Sequence, residues 1–237
     1  MLALLGGVSI GPLTIPYAWI GLILGGAAGG WIMKRHIRRM AIPGGDPIVD
    51  LLFDIVVAWF LGWKFSALVL TPIDAIRHPI ALLTLPADPH AKWVGTMAAF
   101  LYGGYKWWRL KPQGRDVLEV WPFGLVTGGA VASLFWLSLG KPTGLPWGIH
   151  AFGGVFQPVN FYEAIVLWAA LLFAWRSRRM EKGAFLLLLS GIGSLLVSLF
   201  AVYQTVIFGL SPSQWAALAV SILGLIGLRN AKGGHPL

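Results

Sequence analysis

The sequence predicts an all-α integral membrane protein. One domain over residues 1–237 holds seven transmembrane helices, with the N-terminus outside and the C-terminus cytoplasmic. Three observations predict this. Only 11% of residues are charged and 57% are hydrophobic, whereas a soluble domain carries about 25% charged residues. The chain cannot cover its surface with polar groups, so lipid must be most of its solvent. Apolar runs close to the roughly 20 residues that a bilayer requires recur along the chain. Basic residues gather in alternate connections between those runs.

The first run covers about residues 13–33 and ends at the basic cluster Lys34-Arg35-His36-Ile37-Arg38-Arg39. A signal peptide carries its positive charge before the apolar core. Here the charge follows it, so a retained helix is expected. Gly21, Gly25 and Gly29 recur every fourth residue, a spacing that lets helix backbones approach closely. The remaining runs cover about 48–70, 92–108, 117–139, 160–175, 183–208 and 213–228. Two connections are long and rich in proline or glycine, about 71–91 and 140–160. Both read as outer loops, the first with a short interfacial helix near 76–83.

Fourteen of the eighteen Lys and Arg residues fall in connections one, three and five and the tail. Positive charge accumulates in cytoplasmic loops, which orients the chain. The net charge of +9 is thereby an orientation signal, with anionic inner-leaflet lipid as its natural contact. A nucleic-acid partner is excluded, because no compact basic domain carries the charge. There is no cysteine, so disulfide and thiol chemistry are absent from the chain. No phosphate loop or Ser/His/Asp order is present. The histidines at 36, 78, 90, 150 and 235 read as solvated loop residues without metal-ligand spacing. No metal and no cofactor are expected.

Ionisable groups inside a span are costly and therefore functional candidates. Lys64, near the outer end of the second run, has two readings. It either snorkels to the headgroups beside Trp63, or faces inward to hold a phosphate or carboxylate. Asp50 and Asp54, one turn apart at the inner end, read as an interfacial pair. Glu163 opens the fifth run beside Phe161 and Tyr162. In one reading Asn160 is the N-cap and Glu163, three residues on, completes a variant capping box. In the other, Glu163 is an inward carboxylate that pairs with a cation such as Lys64.

The connection before Glu163 carries the most information. Lys141-Pro-Thr-Gly-Leu-Pro-Trp-Gly148 and Gln157-Pro-Val-Asn-Phe-Tyr-Glu-Ala164 resemble two signature segments of the prolipoprotein diacylglyceryl transferase family. Weaker matches are Asp50-Leu-Leu-Phe53, His78-Pro79, Lys182-Gly183, Gly209-Leu-Ser211 and Gln214-Trp215. The resemblance covers about residues 12–228. It implies transfer of a diacylglyceryl group from phosphatidylglycerol to a lipobox cysteine, in a multi-pass protein of the bacterial plasma membrane. Phospholipid and a prolipoprotein signal segment are the implied partners. It also implies a site built from Lys64, Lys141, Gln157, Asn160, Tyr162 and Glu163, with Glu163 and Lys64 as the catalytic candidates.

The chain departs from that family where its polar signature should fall. Gly129, Ala132, Phe135 and Leu137 stand where arginine, two asparagines and glutamate are expected. Trp93-Val94-Gly95 stands near a missing His-Gly-Gly, and Ile192, Leu196 and Phe200 near a missing Tyr, Arg and Glu. Lys64 takes the place of an arginine and lacks its bidentate fork. The two readings are therefore a transferase with a rebuilt site and a catalytically silent relative that binds lipid or a signal segment.

Overall fold

The computed structural model describes residues 7–10, 13–77, 88, 90–178, 181–203 and 205–233. The fold is mostly helical, and each of the seven apolar runs carries one long helix: α1 (Tyr17–Met40), α2 (Gly45–Lys64), α5 (Ala91–Leu110), α6 (Gly114–Phe135), α7 (Val159–Arg176), α8 (Lys182–Ser198) and α9 (Pro212–Gly233). Two short helices, α3 (Ala67–Leu70) and α4 (Pro72–Arg77), follow α2. Among the described residues, α6 and α7 are long and apolar enough to cross a membrane, and α8 is a shorter apolar helix.

The all-α expectation needs one correction, since two small antiparallel sheets are present. β1 (Gly7–Ile10) pairs with β2 (Leu13–Pro16). β3 (Leu139–Pro142), β4 (Ile149–Ala151) and β5 (Gly154–Pro158) form a sheet in the order β3-β5-β4. The stretch read as a loop over 140–160 is this sheet and the first turn of α7. Apart from Gly140 inside β3, its prolines and glycines lie at strand ends and turns, where they cost little. The interfacial helix expected near 76–83, and His78 with it, lie outside the described residues except for the end of α4; so does His235.

The chain divides into two compact units, Met1–Ala41 with Leu118–Leu237, and Ile42–Val117. In the smaller unit α2 packs on α5. A Cβ on Gly62 would meet the Ala98 Cβ at 2.7 Å, and one on Gly95 would meet the Trp59 carbonyl at 2.7 Å. Asp54 Oδ2 pairs with Lys106 Nζ at 3.0 Å on a half-exposed surface, so that carboxylate has an interhelical partner.

In the larger unit α1 crosses α6 on glycine. A Cβ on Gly25 would lie 2.6 Å from the Gly128 carbonyl oxygen, and one on Gly29 lies as close to that of Gly124. The small-residue spacing read from the sequence is thus a backbone-to-backbone seam. α8 crosses α9 in the same way, through Gly191 against Ala217 and Ser221, and Gly224 against Ala184 and Leu188. The start of α9 is built by Ser211, Pro212 and Gln214. Ser211 N–H donates to Gln214 Oε1 at 2.8 Å and Gln214 N–H donates to Ser211 Oγ at 3.2 Å. This is a reciprocal capping box with proline at the first helical position.

His36 is the clearest correction to the sequence reading. It is not a solvated loop residue, because α1 continues through the basic cluster to Met40. The ring is 1% exposed and stacks on Phe123 with centroids 3.9 Å apart. Its Nε2 is 2.9 Å from Glu119 Oε1, and Glu119 Oε2 accepts the Gly183 N–H at 2.8 Å. One carboxylate therefore ties α1, α6 and the start of α8 together. Glu119, Phe123 and Thr127 recur every four residues on one face of α6. The last of them is buried with no hydrogen-bond partner for its hydroxyl.

Candidate functional site

The sheet β3-β5-β4 runs directly into α7. Pro158 has φ −82 and precedes the first helical residue, Val159, with no side-chain cap. Asn160 is therefore inside the helix and not its N-cap. Its side chain turns to α6 instead. Nδ2 donates to the Ser133 carbonyl at 3.2 Å, and Oδ1 accepts the Ser138 N–H at 3.4 Å. Asn160 is 5% exposed, and burial of its amide is possible because both of its ends are satisfied. The result fixes the start of α7 against the end of α6.

Glu163 is consequently not a capping-box residue either. Its Oε1 accepts a hydrogen bond from Ser194 Oγ of α8. The carboxylate is half-buried on an apolar helix, and a neighbouring helix orients it. Ser194 was absent from the site expected from the sequence. The readable signal was the recurrence of Ser190, Ser194 and Ser198 every four residues in an otherwise apolar run. The outer two bond to backbone oxygens of their own helix, at Leu187 and Leu195. Ser198 Oγ also accepts Gln214 Nε2 at 3.0 Å, which joins α8 to α9.

Tyr162 stands next to Glu163 and binds the sheet connection. Its hydroxyl accepts the Trp147 indole N–H at 2.9 Å, and its ring meets Phe200 edge-on with centroids 5.6 Å apart. The Leu-Pro-Trp-Gly segment and the Tyr-Glu pair, separated in sequence, are thus in direct contact. Lys141 is exposed on β3, and its backbone N–H donates to the Phe200 carbonyl at 2.8 Å. Gly140 sits under this contact. A Cβ there would lie 2.3 Å from the Phe200 oxygen and 3.2 Å from the Gln157 Cβ, so only glycine fits between β3 and the segment after α8. Gln157 is half-buried on β5.

The larger unit thus brings together Lys141, Gln157, Asn160, Tyr162 and Glu163 around the start of α7. Gly129 and Ala132 on α6, and Ile192 and Leu196 on α8, contribute no polar group there. Lys64 is the half-buried last residue of α2 in the smaller unit. Chemically, the assembled groups offer one oriented carboxylate, one phenol and one exposed ammonium. No group of three or more His, Cys, Asp or Glu suited to a metal ion occurs among the described residues.

Comparison with known proteins gives one consistent result. No family model matches the chain. It is 26% identical over 257 aligned residues to the phosphatidylglycerol–prolipoprotein diacylglyceryl transferase of Bifidobacterium longum subsp. infantis, covering 92% of this chain and 80% of that protein. It is 28% identical over 186 residues to the protein of the same name from Methylococcus capsulatus, covering 73% of this chain and 70% of that protein.

Proposed function

We propose that this chain, a divergent relative of the prolipoprotein diacylglyceryl transferases, moves a diacylglyceryl group from phosphatidylglycerol to the thiol of a lipobox cysteine. In this reading it is a single seven-span domain of the bacterial plasma membrane, with the start of α7 at the outer leaflet. The names of its relatives supply both substrates. The observation that carries the reading is Glu163, a half-buried carboxylate that caps no helix and is aimed by Ser194 of the neighbouring helix.

The reaction requires removal of a proton and stabilisation of a leaving phosphate. The cysteine thiol gives its proton to the Glu163 carboxylate. Sulfur forms a C–S bond to the diacylglyceryl carbon as the C–O bond to phosphate breaks. Glycerol phosphate leaves with the electron pair. Lys141 neutralises that phosphate, Gln157 and Tyr162 contact the substrate, and Asn160 acts by positioning α7, while Lys64 of the smaller unit is carried as a second catalytic candidate by the family resemblance alone.

A second reading is favoured by Gly129, Ala132, Phe135 and Leu137. Buried charges without work to do are expensive, and these four positions carry none. In that reading the chain binds a lipid or a lipoprotein signal segment without turnover. Purified protein, phosphatidylglycerol and a lipobox peptide discriminate the two. Release of glycerol phosphate above a protein-free control supports the transferase. No release, in conditions where an authentic transferase works, together with co-purifying lipid found by mass spectrometry, supports the silent binder. Under the first reading Glu163→Gln and Lys64→Ala each lower the rate about 100-fold or more. Full activity of both variants would sink the site assignment.

A further inference from the structure

Two tight turns in the larger unit share an unusual chemistry. Phe152-Gly153 joins β4 to β5, and Phe208-Gly209 is closed by the bridge between Ile207 and Leu210. Both residues of each turn have positive φ, 49 and 77 in the first and 50 and 82 in the second. Two-residue turns of this hand favour Asn-Gly or Asp-Gly. A bulky side chain at positive φ is an outlier. Yet phenylalanine stands there twice, and the residue is 74% exposed in one turn and 94% in the other. Contacts within the chain do not offset the unfavourable backbone.

The surroundings are apolar as well. Hydropathy assigns 199–208 to the sixth span, but α8 ends at Ser198. The described residues beyond it, 199–203 and 205–208, are left outside any helix, with Leu199, Val202, Val206 and Ile207 each more than half exposed. Trp147, just before β4, is 59% exposed. Neither 139–159 nor 199–211 contains Asp or Glu, and Lys141 is the lone Lys or Arg of the two. Both segments leave the same end of the helices. α7 begins directly after β5, α8 ends just before Leu199, and the Lys141 N–H joins the two segments at the Phe200 carbonyl.

We infer that Phe152 and Phe208 are the tips of two aromatic anchors that insert into the phospholipid leaflet at that end of the helices, with the Lys141 ammonium available to lipid phosphates. Phenylalanine partitions into the apolar part of the leaflet, and the exposed Trp147 beside β4 is of the type enriched at the interface itself. A surface with one ammonium and no carboxylate complements phosphodiester headgroups. Left in water, the same residues would form an apolar patch of the kind soluble surfaces avoid. The inference rests on the membrane reading proposed above.

The chain has no native cysteine, so single spin labels test it directly. Phe152→Cys and Phe208→Cys are each labelled in the full chain, in vesicles of phosphatidylglycerol and phosphatidylcholine. Leu172→Cys on α7 is the lipid reference, and Arg178→Cys, exposed after α7, is the water reference. Both tip labels should show the oxygen-over-nickel-chelate accessibility of the Leu172 label, several-fold above that of the Arg178 label. Tips that resemble Arg178 while Leu172 reports lipid overturn the anchors alone. A water-like Leu172 label overturns the membrane reading and the anchors with it. Dipolar broadening at the tips that vanishes on dilution with unlabelled protein shows a second copy covering them, and also overturns the inference. A further variant separates anchoring from folding. Phe208→Asn suits the turn better than the native residue, so the fold persists, and a label at Val206→Cys should shift towards the water reference. A label that does not move overturns the role of Phe208.

Discussion

Replacing Glu119 by alanine should destabilise the larger unit more than any change at the exposed ion pair of the smaller one. Glu119 accepts two hydrogen bonds, from His36 at 2.9 Å and from the Gly183 backbone at 2.8 Å. His36 is 1% exposed and Gly183 is buried. Alanine strands both groups, and each stranded buried polar group costs about 1–3 kcal/mol. The expected loss is therefore about 4 kcal/mol, or roughly 10 °C in the unfolding midpoint for a chain of this size. Glutamine should cost much less. Its amide oxygen can accept the Gly183 N–H while its NH2 donates to His36 Nε2, because the imidazole can change tautomer. The order native, Glu119→Gln, Glu119→Ala is read from thermal unfolding in detergent, followed by circular dichroism. If alanine is tolerated within about 0.5 kcal/mol, the usual range of surface substitutions, then Glu119 is not the tie between α1, α6 and α8.

Other outcomes follow from the same geometry. Gly25→Ala and Gly29→Ala each place a methyl 2.6 Å from a carbonyl oxygen of α6. Each should cost about 1–3 kcal/mol by overpacking, read by the same thermal assay, whereas Gly26→Ala, which meets nothing within 4 Å in the interior of α1, should stabilise by up to about 1 kcal/mol. Asn160→Leu removes the bonds to Ser133 and Ser138 and should cost about 2 kcal/mol. Asn160→Asp keeps the acceptor but sets a carboxylate oxygen against the Ser133 carbonyl in a buried site, so hydrogen exchange at the start of α7 should be at least as fast as in Asn160→Leu. Ser194→Ala leaves the Glu163 carboxylate in place but unaimed. Under the proposed transferase reading it should lower turnover with little change in half-saturation by phosphatidylglycerol, whereas a purely structural role would lower the unfolding midpoint and leave turnover alone.

Much of the site around Glu163 was legible as residues but not as contacts. The Leu-Pro-Trp-Gly and Tyr-Glu segments stood out by composition and by resemblance. That Trp147 donates to Tyr162, and that Gly140 must lack a side chain beneath Phe200, required the three-stranded sheet to be in place. The Asn160–Glu163 spacing fits a capping box in sequence. It fails in the fold because Pro158, two residues earlier, already precedes the helix and leaves both side chains to reach other helices. Capping signatures specify spacing, and tertiary partners decide whether the spacing is used.

By itself the sequence determined where the seven long helices lie, because each needs only a local run of apolar residues. It also determined that α1 could approach another helix closely, because glycine every fourth residue leaves a flat face whatever the partner is. It could not identify that partner as α6. Nor could it separate helix from exposed apolar turn after Ser198, since hydropathy is the same for a residue inside a span and one at its edge. The burial of His36 was likewise invisible. A histidine among arginines and lysines reads as solvated until a carboxylate 83 positions away in the chain is brought to 2.9 Å. Those are long-range contacts, and only the tertiary structure decides them.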